Sequence, residues 1–150
     1  MQQIQNTLQD DLLQEMNTDL LLGDVYIHAE TDHDYINDID EKFSFIGSKI
    51  DWSEVLHHFH KRVEHLQYSA SVNEFFNRFV LAAGLGEKDK LIVVGDSALD
   101  AVLVFSVNTL KKYLVDVVSL PQHTYIVSQD VCWCACFTME GDMDFGLSLK

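Results

Sequence analysis

The sequence predicts an α+β fold: a helical N-terminal half packed on a mainly antiparallel sheet of about five strands formed by the C-terminal half. Three observations lead there. The first is the stretch Leu120 to Phe145, LPQHTYIVSQDVCWCACFTMEGDMDF, which reads as continuous β-structure and holds the only proline and all three cysteines. The second is helical spacing of apolar residues through much of the first 83 positions. The third is a pair of short β-branched runs at Leu91–Val94 and Ala101–Phe105, close enough to form a hairpin. With no repeat or low-complexity linker, residues 1–150 are expected to form a single domain.

Taken in order, Ile4, Leu8, Leu12 and Leu13 recur at helical spacing and predict a helix over Gln2–Met16. Leu20 to Leu22 continue the pattern and Gly23 breaks it; Val25 and Ile27 then suit one face of a short strand within Asp24–Glu30, and a helix running on through the segment fits as well. An acidic run follows: Glu30, Asp32, Asp34, Asp38, Asp40 and Glu41, interleaved with His33, Tyr35 and Ile39. It lacks the glycine and closing glutamate of a calcium loop. A solvated face and a partner-binding patch both fit it, and Tyr35 favours the patch because aromatic anchors among charges are common at interfaces. The candidate partner-binding residues are therefore Glu30, Asp32, Asp34, Tyr35, Asp38, Asp40 and Glu41.

Asp51 and Glu54 have capping-box spacing, and Trp52, Val55, Leu56, Phe59, Val63 and Leu66 line up as one helical stripe, so a helix is expected from Asp51. His57, His58, Lys61, Arg62, Glu64 and His65 would form its solvated side; Lys61 stands where a zinc-protease helix needs its second histidine. Ser71 and Glu74 repeat the capping logic ahead of Phe75, Phe76, Phe79 and Val80, and Gly84 suits a left-handed helix end. Gly84-Leu85-Gly86 follows a helix and lacks a third glycine, so it is no phosphate loop. Leu91–Val94 and Ala101–Phe105 are strands around the turn Gly95-Asp96-Ser97, and Leu110, Leu114, Val117 and Val118 mark a helix over Val107–Leu120.

Pro121 closes that helix. His123–Ser128 and Val131–Met139 form a hairpin around Gln129-Asp130, with Trp133, Ala135 and Phe137 on one face and Cys132, Cys134 and Cys136 on the other. Glu140-Gly141-Asp142 turns into a last strand marked by Met143, Phe145 and Leu147. Three chemistries compete here. A thiol or hydrolytic enzyme would use Cys132, Cys134 or Cys136 with His123 as base and Asp130 or Asp142 as orienter. A metal site would gather the three cysteines and His123, although a flat i, i+2 row fits a tetrahedron poorly. Core thiols with a hydrogen-bonded histidine are the simplest account. No catalytic set, metal or cofactor is expected on this reading.

Charge bounds the partners. Asp and Glu number 24 against 10 Lys and Arg, a formal net charge of −14. Such a surface repels nucleic acid and anionic membranes and steers basic proteins towards it. The first residues lack a basic segment followed by an apolar one, no apolar run approaches a membrane span, and the cysteines suit a reducing compartment; a cytoplasmic protein is expected. Monomer and homodimer both remain open.

Val93-Val94-Gly95-Asp96-Ser97, then Leu120-Pro121-Gln122-His123-Thr124-Tyr125, Cys132-Trp133, Met139-Glu140-Gly141-Asp142 and Phe145-Gly146 together resemble small bacterial immunity proteins of contact-dependent growth inhibition and related polymorphic toxin systems. The resemblance spans Leu91 to Gly146. It implies a stoichiometric inhibitor, without chemistry of its own, that binds the C-terminal toxin domain of a delivered effector. Many such toxins are nucleases, hence basic. In that reading His123, Tyr125, Trp133 and Gly141 are scaffold. The alternatives are the thiol enzyme above and a generic acidic adaptor or nucleic-acid mimic.

Overall fold

The computed structural model describes residues 2–29, 33–47, 49–63 and 65–148. Helices α1 (Gln2–Glu15) and α2 (Asn17–Leu22) lead into strand β1 (Val25–Ile27). Helix α3 (Tyr35–Lys42) precedes a small hairpin of β2 (Phe45–Ile46) and β3 (Lys49–Ile50). Then come β4 (Leu56–Arg62), α4 (Tyr68–Phe75), β5 (Lys90–Gly95), β6 (Leu103–Ser106), α5 (Val107–Val118), β7 (His123–Ser128), β8 (Trp133–Thr138) and β9 (Asp142–Leu147).

Among the described residues the main sheet has seven strands in the order β1-β6-β5-β7-β8-β9-β4, and every adjacent pair is antiparallel. The fold is α+β, and most strands lie in the C-terminal half. The expected sheet of about five strands gains β4, and β1 joins it as well, one at each edge. The helices are not confined to the N-terminal half, because α5 lies between β6 and β7.

The sheet is covered on both faces. On one, Leu91, Val93, Phe105, Ile126, Ala135 and Phe137 pack against Leu12, Met16, Phe76, Leu110, Leu114 and Val118 from the helices. On the other, Ile92, Val94, Tyr125, Val127, Cys134 and Cys136 meet Ile39 and Phe43 of α3, Ile50 of β3 and Val55. Central strands buried on both faces read as continuous apolar runs, which explains Ile92-Val93-Val94 and Tyr125-Ile126-Val127. The meander β7-β8-β9 forms as the alternation predicted, with Trp133, Ala135 and Phe137 opposite Cys134 and Cys136. Gly141 takes φ +98° in the β8–β9 turn, a conformation that favours glycine. A Cβ there would also run into the Val63 carbonyl.

The expected helix from Asp51 to Leu66 does not form. Asp51 does cap a helical turn, accepting the Ser53 N–H at 3.2 Å, but that turn is a 3₁₀ turn of only three residues, Trp52–Glu54. Val55 is already extended and β4 follows, with His57 at φ +52° in a bulge where the register with β9 shifts. The spacing of Val55, Phe59 and Val63 at every fourth residue fits a strand as well as a helix. Cross-strand partners decide it: His60 stands opposite Asp144 and Arg62 opposite Asp142. Ser71 is buried and does not cap a helix; α4 starts at Tyr68 and continues as a π-helical turn over Phe76–Val80.

No helix among the described residues is long and apolar enough to cross a membrane.

Candidate protein-binding face

Of the residues expected to touch a partner, Glu30 and Asp32 lie outside the described residues. The others fall on or just before α3, with distinct duties. Asp34 is the N-cap, and its Oδ1 accepts the Asn37 N–H at 3.0 Å. Asp38 pairs with Lys42 at 3.4 Å and with His33 at 2.8 Å. Glu41 is exposed and accepts the Asn37 side-chain amide at 3.2 Å. Asp40 is exposed. Tyr35 is half-buried with its ring edge-on to His28 and His33, at centroid distances of 4.8 and 4.7 Å. Its desolvated hydroxyl titrates above the usual tyrosine value. Tyr35 therefore props α3 against the chain more than it offers a free anchor. The exposed apolar residue of this helix is Ile36, at 54%.

Helix α3 and the β2–β3 hairpin leave a cleft of about 460 Å³ between them and the end of the sheet. Ile39, Phe45, Val94 and Tyr125 form its apolar lining, and Asp34, Asp40 and Asp96 are its carboxylates. A second cleft of about 520 Å³ shares Asp34 and Ile36 with it, and adds Asp100, His28 and His33. Further depressions share Asp96, Tyr125 or His123 and continue the surface past Glu140 to Asp142 and Asp144. All these strand residues meet at one end of the sheet, where Gly95 pairs with Thr124, His123 with Thr138 and Asp142 with Arg62. The face is thus acidic, grooved and marked by exposed Ile36, Ile46 and Met139.

Several of its side chains are held rigidly. Asp96 accepts both the backbone N–H of His123 at 2.9 Å and its Nδ1 at 2.8 Å. Behind it, Gln122 Oε1 accepts three backbone N–H groups, from Ser97 at 3.3 Å, Ala98 at 2.8 Å and Leu99 at 3.0 Å. Gly95 leaves room for that amide, since a Cβ would overlap it. On β9, one oxygen of Asp144 meets His58 Nε2 at 2.7 Å and His60 Nδ1 at 2.9 Å, and Trp52 stacks on His58. Asp142 holds Arg62 at 3.0 and 3.1 Å. In the sequence Asp96 and Ser97 read as a simple turn, and the histidines of β4 as one side of a helix.

Cys136 lines the same depression as His123, with its thiol buried, but Cys132 does not reach it. Cys132 is exposed and precedes β8, whereas His123 pairs with Thr138 at the strand's other end. Six residues of strand separate those positions by roughly 20 Å. Burial pushes the Cys134 and Cys136 thiols far above the ordinary cysteine value, and a hydrogen bond with Asp130 raises that of Cys132. A reactive thiolate needs the opposite shift.

The face is built from sheet-end and α3 residues, with carboxylates set around apolar clefts. Comparison with protein-family models and with curated proteins finds no match.

Proposed function

We propose that this chain is an immunity protein: a stoichiometric inhibitor that binds a cognate toxin domain of basic charge, in the cytoplasm, and neutralises it by covering its working surface. The observation that carries the reading is the grooved face at the sheet end, where Asp34, Asp40 and Asp96 line a cleft with Ile36 and Ile46 exposed at 54% and 69% beside it. Interfaces combine a few desolvated apolar anchors with complementary charge. The net charge of −14 accelerates encounter with a basic partner. The resemblance of the Val93–Ser97 and Leu120–Tyr125 segments to immunity proteins supports the same reading, since those segments position Asp96 and His123 on this face.

The test is calorimetry against the C-terminal domain of the large protein encoded immediately upstream, paired with a toxicity assay. A one-to-one complex with nanomolar affinity, about −12 kcal/mol, that abolishes toxicity is the expected result. Association should slow steeply with added salt. Absence of binding to that domain, or binding that leaves it toxic, overturns the proposal.

A further inference from the structure

We propose that the cleft between α3 and the β2–β3 hairpin seats an arginine side chain of the partner, with the aliphatic stem on Ile39 and Val94 and the guanidinium at Asp40 and Asp34. This rests on the immunity reading for the identity of the partner but not for the chemistry of the cleft.

Ile39, Val94 and Tyr125 are 3%, 7% and 5% exposed, so the floor is a settled apolar surface already packed from behind. The cleft's volume of about 460 Å³ lies in the range of ligand sites, roughly 300–1,000 Å³. Its apolar floor calls for an apolar stem, while the carboxylates reject an anion and would lose hydration, uncompensated, under a neutral apolar group. A side chain that is apolar along its length and cationic at its tip satisfies both.

Arginine fits better than lysine for two reasons. Beside a lining of Ile39, Phe45 and Val94, a planar, weakly hydrated guanidinium loses less on leaving water than a compact, strongly hydrated ammonium. The carboxylates also differ in availability. Asp96 is engaged twice by His123, and Asp34 uses Oδ1 on the helix cap. Asp40 is exposed one turn from the cleft's lip at Ile36. A forked donor can bridge Asp40 and the second oxygen of Asp34, which a single ammonium point does less well.

The probe is Nα-acetyl-arginine methylamide, titrated into the isotope-labelled full-length chain, with the lysine and citrulline analogues as controls. Saturable amide shifts at Gly47, Gly95 and Asp96, stronger for arginine than lysine and lost for citrulline, are expected. Asp34→Asn with Asp40→Asn should weaken the arginine probe about tenfold. Asparagine still caps α3 and Asp40 is exposed, so the fold survives. Equal binding of citrulline, no effect of the double variant, or shifts spread evenly to Glu74, Glu87 and Asp116 overturns the inference. Calorimetry with the upstream toxin domain separates the two readings. If the domain binds one-to-one and the double variant binds equally well, the arginine seat is wrong and the immunity reading stands. If the domain does not bind but the probe saturates the cleft as described, the seat stands and the immunity reading falls.

Discussion

Replacing Gln122 with methionine isolates the device that holds the loop behind Asp96. Methionine keeps the length and bulk of the side chain but accepts no strong hydrogen bond. Gln122 is 7% exposed, and its Oε1 is the acceptor for the N–H groups of Ser97, Ala98 and Leu99. Ala98 and Leu99 are 2% and 4% exposed, so their N–H groups cannot turn to water. Each buried donor left unsatisfied costs about 1–3 kcal/mol. Ser97 is less buried and regains water, so the two buried donors sum to about 2–6 kcal/mol, a large part of the ~5–15 kcal/mol that stabilises a typical domain. The Nε2 bond to Thr124 Oγ1, 3.1 Å, is lost as well, which pushes the value towards the upper end. Urea unfolding should show a lower midpoint with an unchanged slope, and Tm should fall by about 2–4 °C for each kcal/mol lost. A loss below about 1 kcal/mol would refute the idea that one amide satisfies this loop.

Phe59→Ala should destabilise the chain by about 2–4 kcal/mol, because the Phe59 ring packs on those of Phe79 and Phe75 at 4.5 and 6.0 Å; a change within error in urea unfolding would contradict the placement of β4. Asp19→Asn probes pH dependence: hydrogen bonds from the Tyr113 hydroxyl and the Lys112 ammonium hold the Asp19 carboxyl below 3.8. The unfolded chain binds that proton more readily, so the wild-type advantage is full above 3.8 and disappears as pH falls through the lower folded value. Denaturation at several pH values should show the two proteins converging in acid, and a constant gap would refute the role. Iodoacetamide under native conditions should modify exposed Cys132 slowly and reach Cys134 and Cys136 only on unfolding, as read by mass spectrometry. Rapid labelling of either buried thiol would revive the thiol-enzyme reading.

Features that depend on local periodicity and on charge are legible in the chain without coordinates. The meander from His123 to Leu147 and helix α5 follow alternation or helical spacing, and the strands at Lys90–Gly95 and Leu103–Ser106 follow short apolar runs, all within a few residues. The acidity that favours a basic partner needs no coordinates at all. Tertiary structure decided the rest, because its causes lie far apart in the chain. Val55, Phe59 and Val63 suit either period, and only the acids of β9, more than 80 positions later, make their segment a strand. Tyr35 reads as an exposed anchor until the rings of His28 and His33 are seen to hold it inward, leaving Ile36 outside. The cleft itself joins residues from α3, the β2–β3 hairpin, β5 and β7. A local pattern specifies which face of an element is apolar; the partner that covers that face, and the gap left where covering elements fail to meet, are properties of the whole packing.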